Sequence, residues 1–268
     1  MSANAANPLL RRPSKSGRVH DVTPANAGWE HVGFALHRLA DGESLSGGEE
    51  GREICLVAVS GDGDASCSGA ALGRIGGRAS PFEGAAISAY VPAGRPWTVV
   101  ARGPLELAVC SAPGKVRGEP RLITPAQTGL ETRGKGTNVR HVRNILPETA
   151  DAESLLVVEV ITPGGNWSSY PPHKHDRDAF PAETLLEETY YHRFSPPQGY
   201  AVQRVYTDDR SLDETLLVHD GDVVLVPRGY HPVGAAHGYD LYYLNVMAGP
   251  RRAWRFTDDP AHAWIKAI

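Results

Sequence analysis

No apolar stretch in this chain runs longer than a β-strand, and turn-forming residues follow each one closely. Val32–Leu39, Ile54–Val59, Ala86–Val91, Trp97–Ala101 and Leu105–Cys110 make a first series. Leu155–Ile161, Thr189–Phe194, Tyr200–Tyr206, Thr215–Val218, Val223–Val226 and Leu241–Met247 make a second. Short apolar runs bounded by turn residues indicate strands buried in sheets. The turns are supplied by 29 glycines and 21 prolines, and helical candidates are short at best. The expected fold class is therefore all-β. At 41% hydrophobic, 268 residues suffice for one large core or two smaller ones.

The two series predict two domains, 28–112 and 148–268. Residues 1–27 are polar and proline-containing and are expected to form an extended or partly disordered arm, docked through Leu9 and Leu10. Residues 113–147, rich in Gly, Arg and Thr, are expected to be a crossover. A net charge of −4, a pI near 6.3 and no dense Lys/Arg block argue against nucleic acid or an anionic membrane as the main partner. No run approaches membrane-spanning length, and the first thirty residues contain no continuous apolar core of a signal peptide. Three cysteines, Cys55, Cys67 and Cys110, lack C-x-x-C spacing and read as reduced thiols of a cytoplasmic protein.

The halves show a faint repeat. Gly221-Asp-Val-Val-Leu-Val-Pro227-Arg-Gly229-Tyr-His231 is a turn, a buried strand and a Pro-x-Gly turn that delivers a histidine. Ile87-Ser-Ala-Tyr-Val-Pro92-Ala-Gly94-Arg-Pro-Trp97 has the same frame, with Trp97 expected where the other copy has His231. Glu53, opening an apolar strand, resembles Glu188. The first copy is thus expected to have lost its ligands and to be structural.

The chemistry concentrates in the second copy. His173-Lys-His175 places two imidazoles on one face of a strand, because strand side chains alternate. A carboxylate follows at Glu187-Glu188, and a distant histidine at His231. Strand phase favours Glu188, which puts Glu188, Tyr190 and His192 on one face. Together His173, His175, Glu188 and His231 form the cupin ligand pattern, a three-nitrogen, one-oxygen set suited to Zn²⁺, Mn²⁺, Fe²⁺ or Ni²⁺. Two departures stand out. Twelve residues, Asp176–Glu187, separate His175 from the carboxylate, so an inserted loop is expected over the barrel mouth. One residue rather than two separates Gly229 from His231.

Tyr170-Pro-Pro-His-Lys-His-Asp176, Leu186-Glu-Glu-Thr-Tyr-Tyr-His-Arg-Phe194, Gln203-Arg-Val-Tyr-Thr-Asp-Asp-Arg210, the Gly221–Pro232 segment, Tyr242-Tyr-Leu-Asn-Val-Met-Ala-Gly249 and Arg133-Gly-Lys-Gly-Thr-Asn-Val-Arg140 resemble the 5-deoxy-glucuronate isomerases of bacterial inositol catabolism. The likeness covers nearly the whole chain beyond the arm and extends to 4-deoxy-5-hexulose-uronate ketol-isomerases, which are zinc-binding bicupins. The resemblance implies two cupin domains, a zinc or other divalent ion, and an aldose–ketose isomerase acting on a small sugar acid.

Such a reaction moves a proton between neighbouring carbons through an enediol, with a metal stabilising the negative charge and a base near neutral pKa. His192, Tyr190 and Tyr243 are candidates for the proton-transfer group. Arg204 or Arg228 is a candidate clamp for the substrate carboxylate. Asp176 is expected to cap a turn, and His219 and His237 to be exposed. Arg133, Asn138 and Arg140 are expected to make inter-domain or subunit contacts. An isomerase of another deoxy-uronate, an iron-dependent dioxygenase with the same ligands and a non-catalytic sugar-binding cupin are the competing functions. Exposed sheet edges leave room for a homo-oligomer.

Overall fold

A computed structural model describes residues 7–15 and 17–267. The spine of the first half is the long strand Arg52–Cys67. Its first part lies in a sheet ordered Arg121–Ile123, Ser88–Val91, Arg52–Cys67, Leu105–Pro113, Gly33–Leu39, Arg18–Val22. Register slips between Ala58 and Ser60 and again after Gly61. Gly61 has φ +87°, and a Cβ there would lie 2.2 Å from the Pro104 carbonyl oxygen, so only glycine makes this bend. Beyond it the strand pairs with Ala70–Arg78 and Trp97–Ala101. The curled sheet closes around Ile54, Leu56, Ile75, Val91, Trp97 and Leu107.

The second half repeats this plan. One sheet runs Leu10–Arg11, Val223–Val226, Glu187–Ser195, Asp240–Ala248, Leu156–Thr162, Arg140–Leu146, Gly129–Arg133. A four-stranded sheet of Trp167–Ser168, Val233–Ala235, Tyr200–Tyr206 and Asp213–His219 completes the barrel. Val158, Val160, Tyr190, Val205, Val226 and Met247 fill it. The outer faces of the two large sheets pack on each other through Phe34, Val57, Cys110, Tyr191, Leu225 and Leu244.

Strand register makes the internal symmetry explicit. Glu53 lies opposite Ala112 and Ile54 opposite Val91, as Glu187 lies opposite Ala248 and Glu188 opposite Val226. Glu53 therefore corresponds to Glu187, not to Glu188, and the ligand position of the first half is Ile54. Alternation explains the correction: residues 54 and 188 point into their barrels, whereas 53 and 187 point between them. Counting from Val91 and Val226, Pro96 matches His231, and Trp97, one residue on, fills the barrel.

The outward carboxylates form reciprocal clasps. Glu53 accepts backbone N–H bonds from Glu153 (2.8 Å), Ser154 and Leu155 (both 2.6 Å). Glu187 accepts from Glu30 (2.6 Å), His31 (2.7 Å) and Val32 (2.9 Å).

Two stretches expected to be irregular are built into the sheets. In the arm, Leu9 is buried, Leu10–Arg11 pairs with Val223 and Val224, and Arg18–Val22 edges the first sheet; residues 1–6 and Ser16 lie outside the described residues. In the crossover, Arg121–Ile123 edges the first sheet, while Gly129–Arg133 edges the second and Arg140–Leu146 lies one strand in from it. Edge strands bury little of their surface, so they carry no continuous apolar run. Among the described residues, no helix is long and apolar enough to cross a membrane.

Candidate metal centre

The two-residue strand His173–Lys174 pairs with Thr257–Asp258. Its pleat sends Lys174 outward to Asp176 (3.1 Å) and Asp208 (2.5 Å) and both imidazoles inward, with ring centroids 6.3 Å apart. His231 arrives from the turn after Val223–Val226. Gly229 there has φ +89°, and a Cβ on it would sit 2.4 Å from the Tyr206 carbonyl oxygen. Asp176 ties this turn to the His-x-His segment by accepting from the Gly229 N–H at 2.9 Å, rather than capping a local turn.

The hydrogen bonds around the rings decide which atoms face inward. His175 Nδ1 donates to the Leu186 carbonyl at 3.0 Å and His231 Nδ1 to the Gly229 carbonyl at 2.8 Å. Each Nε2 then carries its lone pair, and each lies 3.1 Å from Glu188 Oε2. Nε2 of both histidines and Glu188 Oε2 are buried without a hydrogen-bond partner. The ligating nitrogens of His173, His175 and His231 all lie within 4.8 Å of one another. Glu188 Oε1 is occupied by the Asn245 amide. Converging buried lone pairs are costly unless a cation shares them. The set can hold a divalent metal ion.

The titration behaviour of the cluster agrees. Burial, reinforced by the neighbouring imidazoles, drives His173 well below its usual range, and burial also lowers His231 against the pull of Glu188. Burial opposes charge on His175 too, but the Glu188 carboxylate outweighs it and raises that imidazole. Burial would raise Glu188, yet His231 and His175 hold it down. Glu188 thus stays ionised beside imidazoles of which burial holds two, His173 and His231, toward the neutral form.

A cavity of about 30 Å³ abuts these ligands, bordered by His173, Glu188, Tyr190, Tyr243, Asn245, Arg140 and neighbours. The Tyr190 hydroxyl is 2.9 Å from Ser169 Oγ and the Tyr243 hydroxyl 2.6 Å from Ser168 Oγ. Burial raises both phenols, and for Tyr190 the Glu188 charge adds to it, so both keep their protons at neutral pH.

Other expected site residues fall elsewhere. His192 shares the face of Glu188 and Tyr190 but sits deeper in the barrel, its ring 6.0 Å from that of Tyr190, and does not border the cavity. Burial lowers its pKa to about 4. Arg204 lies on the outer face of its strand, between inward Gln203 and Val205, with both guanidinium edge nitrogens 2.7 Å from Asp213. It is not at the site. Arg228, beside Gly229, borders no part of the cavity, and His219 and His237 are exposed as expected. The inserted loop 176–186 does not line the cavity either. It props the C-terminal segment: the Thr184 hydroxyl donates to the Ala253 carbonyl (2.8 Å) and accepts from the Arg255 N–H (3.1 Å). That segment supplies Trp254, which borders the cavity, and Phe256, whose ring lies 4.5 Å from that of His173. Sequence reasoning missed Trp254, Phe256, Asn245 and the two serines, and assigned Arg133 and Arg140 to inter-domain or subunit contacts, whereas both border the cavity.

Two curled β-barrels packed back to back, one with a three-histidine, one-glutamate cluster and one with isoleucine in the carboxylate's place, define a bicupin with a single metal-competent half. Within that class, the chain belongs to the KduI/IolB family, whose profile matches residues 9–265. It is 54% identical over 254 residues to 5-deoxy-glucuronate isomerase of Geobacillus kaustophilus (strain HTA426), covering 94% of this chain and 92% of the relative. It is 49% identical to the enzyme of that name from Bacillus subtilis (strain 168), covering 96% and 98%. The crystal structure of an IolB-like protein from Salmonella typhimurium LT2 superposes with a TM-score of 0.94 at 55% identity, covering 97% of this chain and 99% of that one. Oxalate decarboxylase of Lactobacillus farciminis, at 14% identity and a TM-score of 0.67 over 96% and 90% of the two chains, shares the fold alone.

Proposed function

We propose that this chain is an aldose–ketose isomerase that converts 5-deoxy-glucuronate to 5-dehydro-2-deoxy-gluconate, with a divalent metal held by His173, His175, His231 and Glu188. The observation that carries this reading is the convergence of unpartnered, buried His175 Nε2, His231 Nε2 and Glu188 Oε2 beside a cavity bordered by two guanidiniums and two phenols. Near-full-length identity of about half to named isomerases supplies the substrate. Bound there, a divalent ion supplies Lewis acidity toward neighbouring carbonyl and hydroxyl oxygens. The chain's own groups orient the substrate and stabilise the charge that develops on it. Protonated Tyr190 and Tyr243, oriented by Ser169 and Ser168, donate hydrogen bonds to oxygens on which negative charge develops. Trp254 borders the cavity and limits the access of bulk water to it. His192 and Arg204 have no part in this scheme.

Zinc is the ion we expect first, with manganese, iron and nickel compatible with the donor set. Buried free thiols at Cys55, Cys67 and Cys110 support a role in the reducing cytoplasm. The test is anaerobic: metal-replete protein with 5-deoxy-glucuronate, product followed by NMR. Turnover without oxygen, abolished by a chelator and restored by the ion, is expected and excludes an oxygenase. No turnover with any of the four ions, on this or a related deoxy-uronate, would sink the proposal.

A further inference from the structure

Arg140 divides two cavities. On one side is the 30 Å³ gap against Glu188 and His173; on the other is a chamber of about 240 Å³ walled by Gly134, Lys135, Asn138, Tyr170, Pro171 and the C-terminal turn at Ile265 and Lys266. The inner gap has room for about one water molecule. A six-carbon sugar acid cannot enter so small a gap as a whole, so most of it must lie outside, and the outer chamber is the neighbouring space that Arg140 also borders.

The charges of that chamber are one-sided. Among the described residues, no acidic one lines it. Lys266 is already paired with Asp258, and Arg133, across the strand pair from Arg140, with Glu131 at 2.9 Å. Arg140 differs. Its Nη1 donates to the carbonyls of Asn138 (3.0 Å) and Tyr170 (3.1 Å), which fix the guanidinium plane. Its Nε and Nη2 have no acceptor, and it has no carboxylate partner, among the described residues. A half-buried guanidinium, anchored on one nitrogen and open on the rest, is the geometry that receives a carboxylate through two parallel N–H bonds. Lys135, exposed and unpaired among the described residues, adds charge at the outer rim. Arg204, by contrast, spends both edge nitrogens on Asp213.

We propose that Arg140, assisted by Lys135, is the carboxylate-recognition residue of the substrate site, and that the chamber outside the metal cluster is the subsite for the acid end of the sugar. The proposal rests on the isomerase reading. It explains how one end of a uronate is held while C1 and C2 face the ligands, and it makes the enzyme selective for acids over neutral sugars.

The experiment compares 5-deoxy-glucuronate with its neutral counterpart, the 5-deoxy-aldohexose carrying CH2OH at C6. In Arg140→Gln, the ratio of kcat/KM for the acid over the neutral sugar is expected to fall about 100-fold, mainly through KM for the acid, and Arg140→Lys is expected to restore part of it. An unchanged ratio, or equal losses on both sugars, overturns the proposal, because a merely structural arginine affects both alike. Metal content and circular dichroism check that Arg140→Gln is folded. If it is not, Lys135→Gln replaces it, with a several-fold fall in the ratio expected and an unchanged ratio counting against. If wild type turns over neither sugar, the isomerase reading has failed by itself. Calorimetric binding of D-glucuronate to wild type and Arg140→Gln then decides the subsite: weaker binding by the variant supports it, and equal binding overturns it.

Discussion

At the residue scale, the metal cluster is held by atoms that never touch the metal position. Asn245 fixes Glu188 by donating to Oε1, which leaves Oε2 to face His175 and His231. Carbonyls 186 and 229 fix the histidine tautomers. Replacing Asn245 with alanine frees the carboxylate to rotate, and metal affinity measured by chelator competition is expected to fall about 10–100-fold. Affinity equal to wild type's would show that packing alone holds Glu188. The proton balance of the cluster makes a second prediction. With no metal bound, Glu188 raises His175, so at any pH below that raised value binding displaces a proton from it. Apparent affinity should therefore rise with pH through the neutral range and level off above the raised His175 value. A competition titration from pH 5.5 to 8.5 checks this, and affinity independent of pH would contradict it.

At the element scale, the site is an assembly of strands that meet only in the folded chain. The inserted loop 176–186 acts on chemistry indirectly, through Thr184 and the segment that presents Trp254 and Phe256. Thr184→Val keeps the shape but removes the hydroxyl's bonds to Ala253 and Arg255, at a cost of about 1–3 kcal/mol. Faster amide exchange at 253–257 and a several-fold higher KM are expected; unchanged exchange there would refute the link. This dependence on long-range pairing also separates what was legible in the sequence from what was not. His173 and His175 announce themselves because a strand's alternation is local, and His231 because its turn needs Gly229. Arg204 could have been set aside by the same alternation, since Ala201, Gln203 and Val205 claim the inner face. Glu53 likewise belongs with the outward residues. Arg140 and Phe256 gave no comparable signal. Their places follow from Arg140–Leu146 pairing one strand in from a sheet edge and from the C-terminal residues returning to pair with His173–Lys174. Neither pairing leaves a periodic trace.

At the scale of the whole molecule, the question is why a half without ligands is kept. Ile54 stands at the carboxylate position and Trp97 fills the barrel, so the first half offers no equivalent cluster. What it does offer is the face against which the catalytic sheet packs, and the reciprocal carboxylates mark that seam. Glu187 is adjacent to Glu188: one points across the seam to the N–H groups of residues 30–32, the next into the metal cluster. The clasp thus sets the position of the strand that carries a ligand. Each clasp satisfies three backbone donors, among them the buried Val32 and Leu155 N–H groups. Removing one carboxylate is expected to cost about 3–5 kcal/mol, because desolvated donors are left unpaired. Glu53→Ala and Glu187→Ala should each lower the urea midpoint without abolishing a single cooperative transition, since the apolar seam around Tyr191 and Leu225 persists. In the double variant the halves lose both clasps and keep that apolar face with the Arg78–Glu159 and Arg193–Glu106 ion pairs. Calorimetry is then expected to resolve two transitions, the second-half barrel shifting upward on metal addition while the first does not. A double variant that still melts in one transition would show that the apolar seam couples the halves and that the clasps only add stability. The two single variants differ in a further respect. Glu187→Ala should weaken metal binding through its neighbour Glu188, whereas Glu53→Ala, in the half whose matching position is Ile54, should lower stability with far less effect on metal affinity.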